Sequence, residues 1–166
     1  MLEVLNLLGL AGVQGLVDGG WGVEALMGTQ TRAHEDLDVA IDRTRLADAS
    51  HALSAAAYAH DPAARPGLPA RYVMRDHRDR QVDLHLLTFD AHGNGWQQLS
   101  PTGAWGLYPV GERVTGVVEG IEVPCISAEL QHRFHLGWAW DERAKHDMRL
   151  LREQLAIPLP PGYTAD

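Results

Sequence analysis

The stretch His34-Glu35-Asp36-Leu37-Asp38-Val39-Ala40-Ile41 decides the fold of this chain. Its apolar side chains alternate with Asp36 and Asp38, which is the period-two pattern of a half-buried β-strand. On such a strand both carboxylates project from one face while the apolar set enters the core. Like charges on one short edge repel each other, and burying them is costly. A divalent cation removes that penalty, so the pair predicts half of a magnesium site, although an isolated D-x-D also occurs on solvated strand faces.

A glycine turn lies upstream of this strand. A short apolar run ends at Asp18, and Gly19-Gly20-Trp21-Gly22 then leads into a helical pattern. Glycine permits a positive φ and a close approach by a ligand, and the first N–H groups of a helix attract anions. Gly19 and Gly20 therefore predict a phosphate cradle, although the same pair is common as a simple turn. Neither the P-loop spacing nor G-x-G-x-x-G is present, which argues against a Walker ATPase and a Rossmann domain.

A third carboxylate, Asp83, lies in a second alternating segment, residues 81–86. If this strand pairs with the D-x-D strand, Asp83 converges with Asp36 and Asp38 on one surface. Such a trio and a nucleoside triphosphate can hold two magnesium ions about 3.5–4 Å apart, as in polymerase-type phosphoryl transfer. An Asp between apolar strand residues is also found at ordinary exposed positions, so the prediction depends on the strand pairing.

Together these motifs resemble the DNA polymerase β superfamily of nucleotidyltransferases. Within that superfamily the chain is most similar to the small lincosamide nucleotidyltransferases of the LinA type. The likeness runs over roughly residues 15 to 151 and is carried by residues 17–24, 32–38, 82–85 and 123–127 and by Phe134-His135. It is weaker toward the aminoglycoside 2″-nucleotidyltransferases, which have a comparable Gly-Gly and H-x-D-x-D core.

The resemblance implies an α+β fold: a polymerase β-like nucleotidyltransferase mixed sheet flanked by helices, with C-terminal helices. It implies transfer of AMP from ATP to a hydroxyl of a lincosamide, which confers resistance, with Mg²⁺ as cofactor. Asp36, Asp38 and Asp83 would bind metal, and Asp83 would also accept the hydroxyl proton. We expect one domain of residues 1–166, with a catalytic core over about 1–90 and a part covering acceptor and nucleotide over about 91–166.

Composition limits the partners. The chain has 166 residues, 45% of them hydrophobic, and a formal charge of −8. An acidic chain is a poor match for nucleic acid or an anionic membrane and suits a cationic small substrate. No apolar run is long enough to cross a bilayer, and the N-terminus lacks the features of a signal peptide. The single cysteine, Cys125, excludes an internal disulfide and predicts a cytoplasmic protein with a packed thiol. A homodimer stays open.

Three further residues are candidate nucleotide ligands. Arg32 and His34 precede the D-x-D motif and could contact the triphosphate or steady a carboxylate, but either is also common as a solvated surface residue. The last helix, with apolar positions at 144, 148, 151 and 155, carries Lys145 beside that stripe. The resemblance implies that Lys145 reaches the β- and γ-phosphates, and the alternative is an ion pair with Asp141 one turn away.

The aromatic residues of the second half are candidates for the acceptor pocket, because aromatic rings stack on sugars. They are Trp96, Trp105, Tyr108 and Trp138, and the same residues would equally suit a core or an interface. The sequence leaves three alternatives to the lincosamide enzyme: an aminoglycoside nucleotidyltransferase, an antitoxin that nucleotidylates a partner protein, and a non-catalytic nucleotide-binding module. The intact carboxylate trio argues against the last of these.

Overall fold

A computed structural model describes residues 1–64, 68–136 and 141–159. In this part of the chain the helices are α1 (Leu2–Leu10), α2 (Gly19–Met27), α3 (Leu46–Ala55), α4 (Ala128–His135) and α5 (Glu142–Leu155). The strands are β1 (Gly15–Asp18), β2 (Asp36–Asp42), β3 (Ala59–His60), β4 (Arg71–Arg75), β5 (Gln81–Phe89), β6 (Gly95–Gln98), β7 (Trp105–Tyr108), β8 (Arg113–Val118) and β9 (Ile121–Ile126). Short 3₁₀ turns cover Arg43–Arg45 and Val110–Glu112.

All the described strands belong to one mixed sheet, whose main order is β3-β4-β5-β2-β1-β9-β8. Strand β2 runs antiparallel to β1 and parallel to β5, and β1 runs parallel to β9. The end of β5 also pairs with β6, which pairs with β7. The predicted α+β class, a mixed sheet with flanking helices, is confirmed. Strands β8 and β9 of the C-terminal part complete the same sheet as the D-x-D strand.

The register of β2 decides which side chains meet. Asp38 lies opposite Asp18 on β1 and opposite Asp83 on β5. The predicted pairing of the D-x-D strand with the strand of Asp83 is therefore confirmed. Since paired residues in a sheet share a face, these three carboxylates point to the same side.

The two faces of the sheet differ. On one face, Val39 and Ile41 pack with Leu8 of α1 and Leu53 of α3 in the main core cluster. The other face carries the functional side chains, where Asp38 is partly exposed and Asp83 is completely buried. The alternative of an exposed aspartate on a solvated strand face is thus wrong for Asp83.

Helix ends follow from local capping. Ser127 caps α4 through its side chain, which accepts the Leu130 N–H. Helix α3 begins only at Leu46, because the Asp42 side chain accepts the Thr44 N–H and first closes a 3₁₀ turn. The helix ends at Ala55, and Ala57 just beyond it has a left-handed φ of 67°.

Helix α5 differs from its predicted apolar stripe. Met148 and Leu151 are fully buried, but Leu155 is 40% exposed. The polar residue that faces inward is Asp147, which is 3% exposed. A buried carboxylate needs a cation or hydrogen-bond donor beside it. We therefore expect Asp147 to pair with a residue on the inward-facing side of α5. No helix in the described ranges has the length and apolar character needed to cross a bilayer.

Candidate active site

Asp38 and Asp83 lie side by side on β2 and β5, and Arg71 of β4 contacts both. Its Nη1 is 3.5 Å from Asp38 Oδ1 and its Nη2 is 3.3 Å from Asp83 Oδ2. Asp38 is partly exposed, whereas Asp83 is not exposed at all. The guanidinium thus offsets the repulsion between two adjacent carboxylates. Arg71 was not predicted, since only the sheet pairing brings β4 beside this pair.

His85 supports Asp38 from the same strand as Asp83. Its Nε2 is 2.9 Å from Asp38 Oδ1, and its Nδ1 is 3.3 Å from Asp18 Oδ2. Burial and Arg71 lower the pKa of His85, but the carboxylates of Asp18 and Asp38 outweigh them and raise it to about 9. The raised pKa favours the imidazolium, whose Nε2 donates to Asp38 Oδ1 and orients that carboxylate, while its Nδ1 lies 3.1 Å from the Tyr108 hydroxyl.

The compact group of possible metal ligands is Asp38, Asp83 and His85, whose nearest donor atoms all lie within 4.8 Å of one another. The predicted trio had Asp36 in place of His85. Asp36 lies two residues before Asp38, which corresponds to roughly 6.5 Å along a strand. Its Oδ2 accepts a hydrogen bond from Gln81 Nε2 at 3.4 Å. Asp36 is thus at the rim of the carboxylate group rather than in its closest cluster.

Asp18 connects the carboxylates to the glycine turn. Its Oδ1 accepts the Gly19 N–H at 2.6 Å, so this side chain caps α2 and uses one N–H of the predicted cradle. Its Oδ2 accepts the Tyr108 hydroxyl at 2.7 Å. Burial, and then Asp18, raise the pKa of Tyr108 well above its ordinary value, so the phenol stays neutral. Sequence reasoning gave Asp18 no role, although an Asp before a helix start is a capping signal.

The glycine turn is packed against functional side chains. Gly19 has a φ of +59°, and a Cβ at this position would lie 2.4 Å from Asp38 Oδ2. A Cβ at Gly20 would lie 2.2 Å from Arg32 Nη2 and 2.8 Å from His34 Nδ1. Gly19 therefore requires glycine for contact and for conformation, and Gly20 requires it for contact. The turn therefore lies beside Asp38, a candidate metal ligand, and beside Arg32 and His34, the predicted nucleotide ligands.

Glu24 of α2 organises the segment before the D-x-D strand. It is 2% exposed, and its Oε1 accepts the Thr31 N–H, the Thr31 hydroxyl and the Arg32 N–H at 2.8 to 2.9 Å. Its Oε2 is 3.1 Å from His34 Nε2. Burial raises the pKa of Glu24, but these contacts outweigh burial and lower it. In the sequence, a buried glutamate on a helix looks the same as a solvated one, so the role of Glu24 was not predicted.

His34 and Arg32 are both held at the turn rather than solvated. The His34 ring packs against Trp21 in a tilted arrangement, with centroids 4.4 Å apart and 30° between the ring planes. Burial lowers the pKa of His34 more than Glu24 raises it, so the ring is neutral at neutral pH. Arg32 makes a two-point ion pair with Asp147 of α5, with Nε–Oδ1 at 2.9 Å and Nη2–Oδ2 at 2.7 Å.

Other predicted ligands lie elsewhere. Lys145 pairs with Glu142 at 2.9 Å, one residue away from the predicted partner Asp141, and is not among the described residues that line the cavity below. Trp96 and Trp105 line a separate surface pocket with Phe89, because Trp96 leaves β6 on the side opposite Gln97. The prediction for Trp138 lies outside the described residues.

A cavity of about 510 Å³ opens above the glycine turn. Its charged lining includes Asp18, Asp36, Asp38, Arg32, Arg71 and Arg143. Its uncharged lining includes Leu68, Gln97, Gln98, Leu99, Tyr108 and Phe134. A volume of this size suits a nucleotide or a drug-sized ligand, and the lining offers both charged and uncharged contacts.

The donor set fits a hard divalent cation. Asp38 and Asp83 present carboxylate oxygens, with Asp36 at the rim, and oxygen is the ligand that Mg²⁺ prefers. His85 completes this compact group, and its Nε2 lies 2.9 Å from Asp38 Oδ1, a contact that suits a role in supporting that carboxylate. Mixed sheet, glycine turn and paired aspartates together define a nucleotidyltransferase-type site.

The chain belongs to the aminoglycoside-2″-adenylyltransferase family, whose model matches residues 1–151. It is 26% identical to a lincosamide resistance protein of Staphylococcus haemolyticus over 136 residues, which is 82% of each chain. The crystal structure of the lincosamide antibiotic adenylyltransferase LnuA, lincomycin-bound, superposes with a TM-score of 0.78 at 26% identity, covering 92% of this chain and 94% of that one.

A second relative in structure is ANT(2″)-Ia. Its complex with adenylyl-2″-tobramycin gives a TM-score of 0.70 at 18% identity, covering 92% of this chain and 85% of that one. At this identity the likeness shows a shared fold. The predicted class, a nucleotidyltransferase of the lincosamide and aminoglycoside type, is confirmed by the family match and these relatives.

Proposed function

We propose that this protein transfers AMP from ATP to a hydroxyl group of a lincosamide and so inactivates the drug. The observation that carries the proposal is the register pair Asp38–Asp83 beside the Gly19-Gly20 turn, in a family of adenylyltransferases. The 26% identity to lincosamide enzymes over most of the chain supports the choice of acceptor.

Asp38 and Asp83, with Asp36 beside them, would hold Mg²⁺. When bound, the ion would neutralise negative charge on the phosphates of ATP. His85 keeps Asp38 oriented through its 2.9 Å contact. Asp18 contacts both His85 and the Gly19 N–H, and so fixes the glycine turn relative to His85. Preorganised charge of this kind supplies most of the rate in phosphoryl transfer, because little covalent chemistry falls to the protein.

In the reaction the acceptor hydroxyl oxygen forms a bond to the α-phosphorus, and the bond from that phosphorus to the pyrophosphate oxygen breaks. The hydroxyl proton passes to the Asp83 carboxylate, and pyrophosphate leaves from the Gly19-Gly20 turn with Arg32 and His34 beside it. Asp83 has no exposed surface and does not line the cavity, so accepting the proton requires the neighbouring side chains, Arg71 among them, to open a path from the acceptor. Lys145 is kept as a proposed phosphate contact for the bound state.

The uncharged residues of the cavity lining are proposed to contact the acceptor. Leu68, Leu99 and Phe134 offer apolar contacts there, and Gln97 and Gln98 offer amide groups. This mixture suits a lincosamide, which carries an alkyl chain and one amine, better than a polyamine. Tyr108, which is 1% exposed, supports this wall from within. An aminoglycoside acceptor is the second candidate, and membership of the aminoglycoside-2″-adenylyltransferase family favours it.

The test is a drug panel. Purified protein is incubated with ATP, Mg²⁺ and either lincomycin or tobramycin. The molecular mass of the drug is measured by mass spectrometry, and the release of pyrophosphate is measured in parallel. We expect lincomycin to gain one adenylyl group. Adenylylation of tobramycin alone would replace the lincosamide proposal with the aminoglycoside one, and modification of neither drug would contradict both.

Asp38→Asn tests the assignment of Asp38 as a metal ligand. The amide has the size of the carboxylate but lacks its charge, so we expect a folded protein with transfer reduced by at least about 100-fold. Normal transfer by this variant would contradict the metal assignment. A cytoplasmic location, where ATP is supplied, is part of the proposal, and sedimentation of the purified protein distinguishes a monomer from a homodimer.

A further inference from the structure

We propose that Asp147 of α5 is a positioning residue for nucleotide binding, which holds the Arg32 guanidinium over the glycine turn so that its remaining N–H groups face the phosphates. The inference rests on the proposed function, in which Arg32 binds ATP. It assigns a role in the nucleotide site to a helix more than one hundred residues away in sequence.

The contact is geometrically specific. Arg32 Nε and Nη2 meet the two oxygens of Asp147 at 2.9 and 2.7 Å, the fork-to-fork arrangement of a strong guanidinium–carboxylate pair. The side chains are only 18% and 4% exposed. A long arginine side chain has many rotamers, and a buried two-point contact selects one of them.

The selected rotamer points at the turn. Arg32 Nη2 is the atom nearest to a Cβ built at Gly20, at 2.2 Å, so the guanidinium lies directly against the glycine backbone. Of its five N–H groups, two bond Asp147 and one bonds the Ala33 carbonyl at 3.1 Å. The remaining two, one on each Nη, have no protein acceptor within the described ranges and are available to phosphate oxygens.

The main chain of Arg32 is fixed separately. Glu24 accepts the Arg32 N–H at 2.9 Å, so the backbone stays in place whatever happens at Asp147. Loss of the Asp147 carboxylate should therefore free the side chain without moving the loop. A second contact, Thr31 Oγ1 to His146 Nε2 at 2.8 Å, joins the same loop to α5 without touching the guanidinium.

Asp147→Asn tests the proposal through binding of ATP, pyrophosphate and AMP, measured by calorimetry without drug. We expect the Kd of ATP and pyrophosphate to rise about 10-fold or more, which is the loss of one charge-assisted contact, and the Kd of AMP to change less than about twofold. Electrostatic repulsion alone predicts that the Kd of ATP and pyrophosphate should fall instead, because removing an anion beside a phosphate site should tighten binding. Arg32→Gln combined with Asp147→Asn should bind no worse than Arg32→Gln alone.

His146→Ala is the control, since it removes an α5–loop contact and spares the Arg32–Asp147 pair; we expect ATP affinity within about twofold of the parent. An equal loss in this variant, or unchanged or tighter ATP binding in Asp147→Asn, would overturn the positioning role. If Asp147→Asn folds poorly, Asp147→Ser makes the same test. Failure of the unaltered protein to bind ATP or pyrophosphate would instead overturn the proposed function, and this inference with it.

Discussion

Gly19→Ala should remove activity far more than stability. Gly19 has a φ of +59°, and a Cβ there would lie 2.4 Å from Asp38 Oδ2, about 1 Å short of the 3.4 Å at which ordinary contact begins. The left-handed backbone costs about 1–2 kcal/mol for alanine. The carboxylate can move away as a flexible end, but a shift of about 1 Å at a reacting group can lower kcat about 100-fold.

Gly28→Ala is the matched control for this change. Gly28 has a φ of +71°, so alanine meets a comparable backbone cost, but no atom lies within 4 Å of the added Cβ. Urea unfolding should therefore give similar losses of about 1–2 kcal/mol for both variants. Only Gly19→Ala should lose adenylyl transfer. A Gly19→Ala enzyme with the parent kcat, or a Gly28→Ala enzyme that is equally inactive, would refute the reasoning.

The remaining predictions concern Arg71, Glu24 and Cys125. Arg71→Gln removes a cation that contacts Asp38 and Asp83, so the Mg²⁺ concentration for half-maximal rate should fall about fivefold, and an unchanged requirement would contradict this. Glu24→Ala leaves three partly buried donors without this acceptor and should lower the free energy of unfolding by about 2 kcal/mol in urea titrations. Because the pKa of Glu24 is lowered on folding, its contribution is present above the unfolded-state pKa of about 4.3 and is lost as pH falls through the lower folded value. Glu24→Gln should accordingly show a shallower loss of stability over that range. Burial raises the pKa of the Cys125 thiol to about 11, so native protein at pH 8 should resist alkylation until urea unfolds it, and rapid labelling of the native state would contradict the packing.

Local patterns predicted the frame of the site. Alternation around Asp36 and Asp38 is a property of neighbouring residues, and so is the order of strand, glycine turn and helix. The alternation around Asp83 predicts a second strand, and the register Asp38–Asp83 confirms the pairing on which the carboxylate prediction depended. The alternation and the glycine turn are encoded within segments of a few residues, so one sequence is enough to find them.

Contacts between distant segments were not predictable in this way. Arg32 and Asp147 are separated by 115 positions, and no periodicity connects them. Arg71 reaches the carboxylates only because β4 is the next strand beside β5. Buried charges such as Glu24 also have the same residue type as solvated ones, so only the fold distinguishes them.

The aromatic predictions show a different limit. Trp96 was assigned to the acceptor pocket, but its neighbour Gln97 lines the cavity instead. In a strand successive side chains alternate between faces, so an error of one position reverses the assignment. Nothing in the glycine-rich residues 91–120 marks which face of β6 is inward.

Single-turnover adenylylation of lincomycin by Asp83→Asn tests the central claim most directly. Asp83 has no exposed surface and lies opposite Asp38, and the amide keeps its shape while removing the charge and the proton-accepting oxygen. With saturating ATP and Mg²⁺, the account predicts a chemical step at least about 100-fold slower than that of the parent, in a protein of similar melting temperature. Transfer at the parental rate would contradict the account.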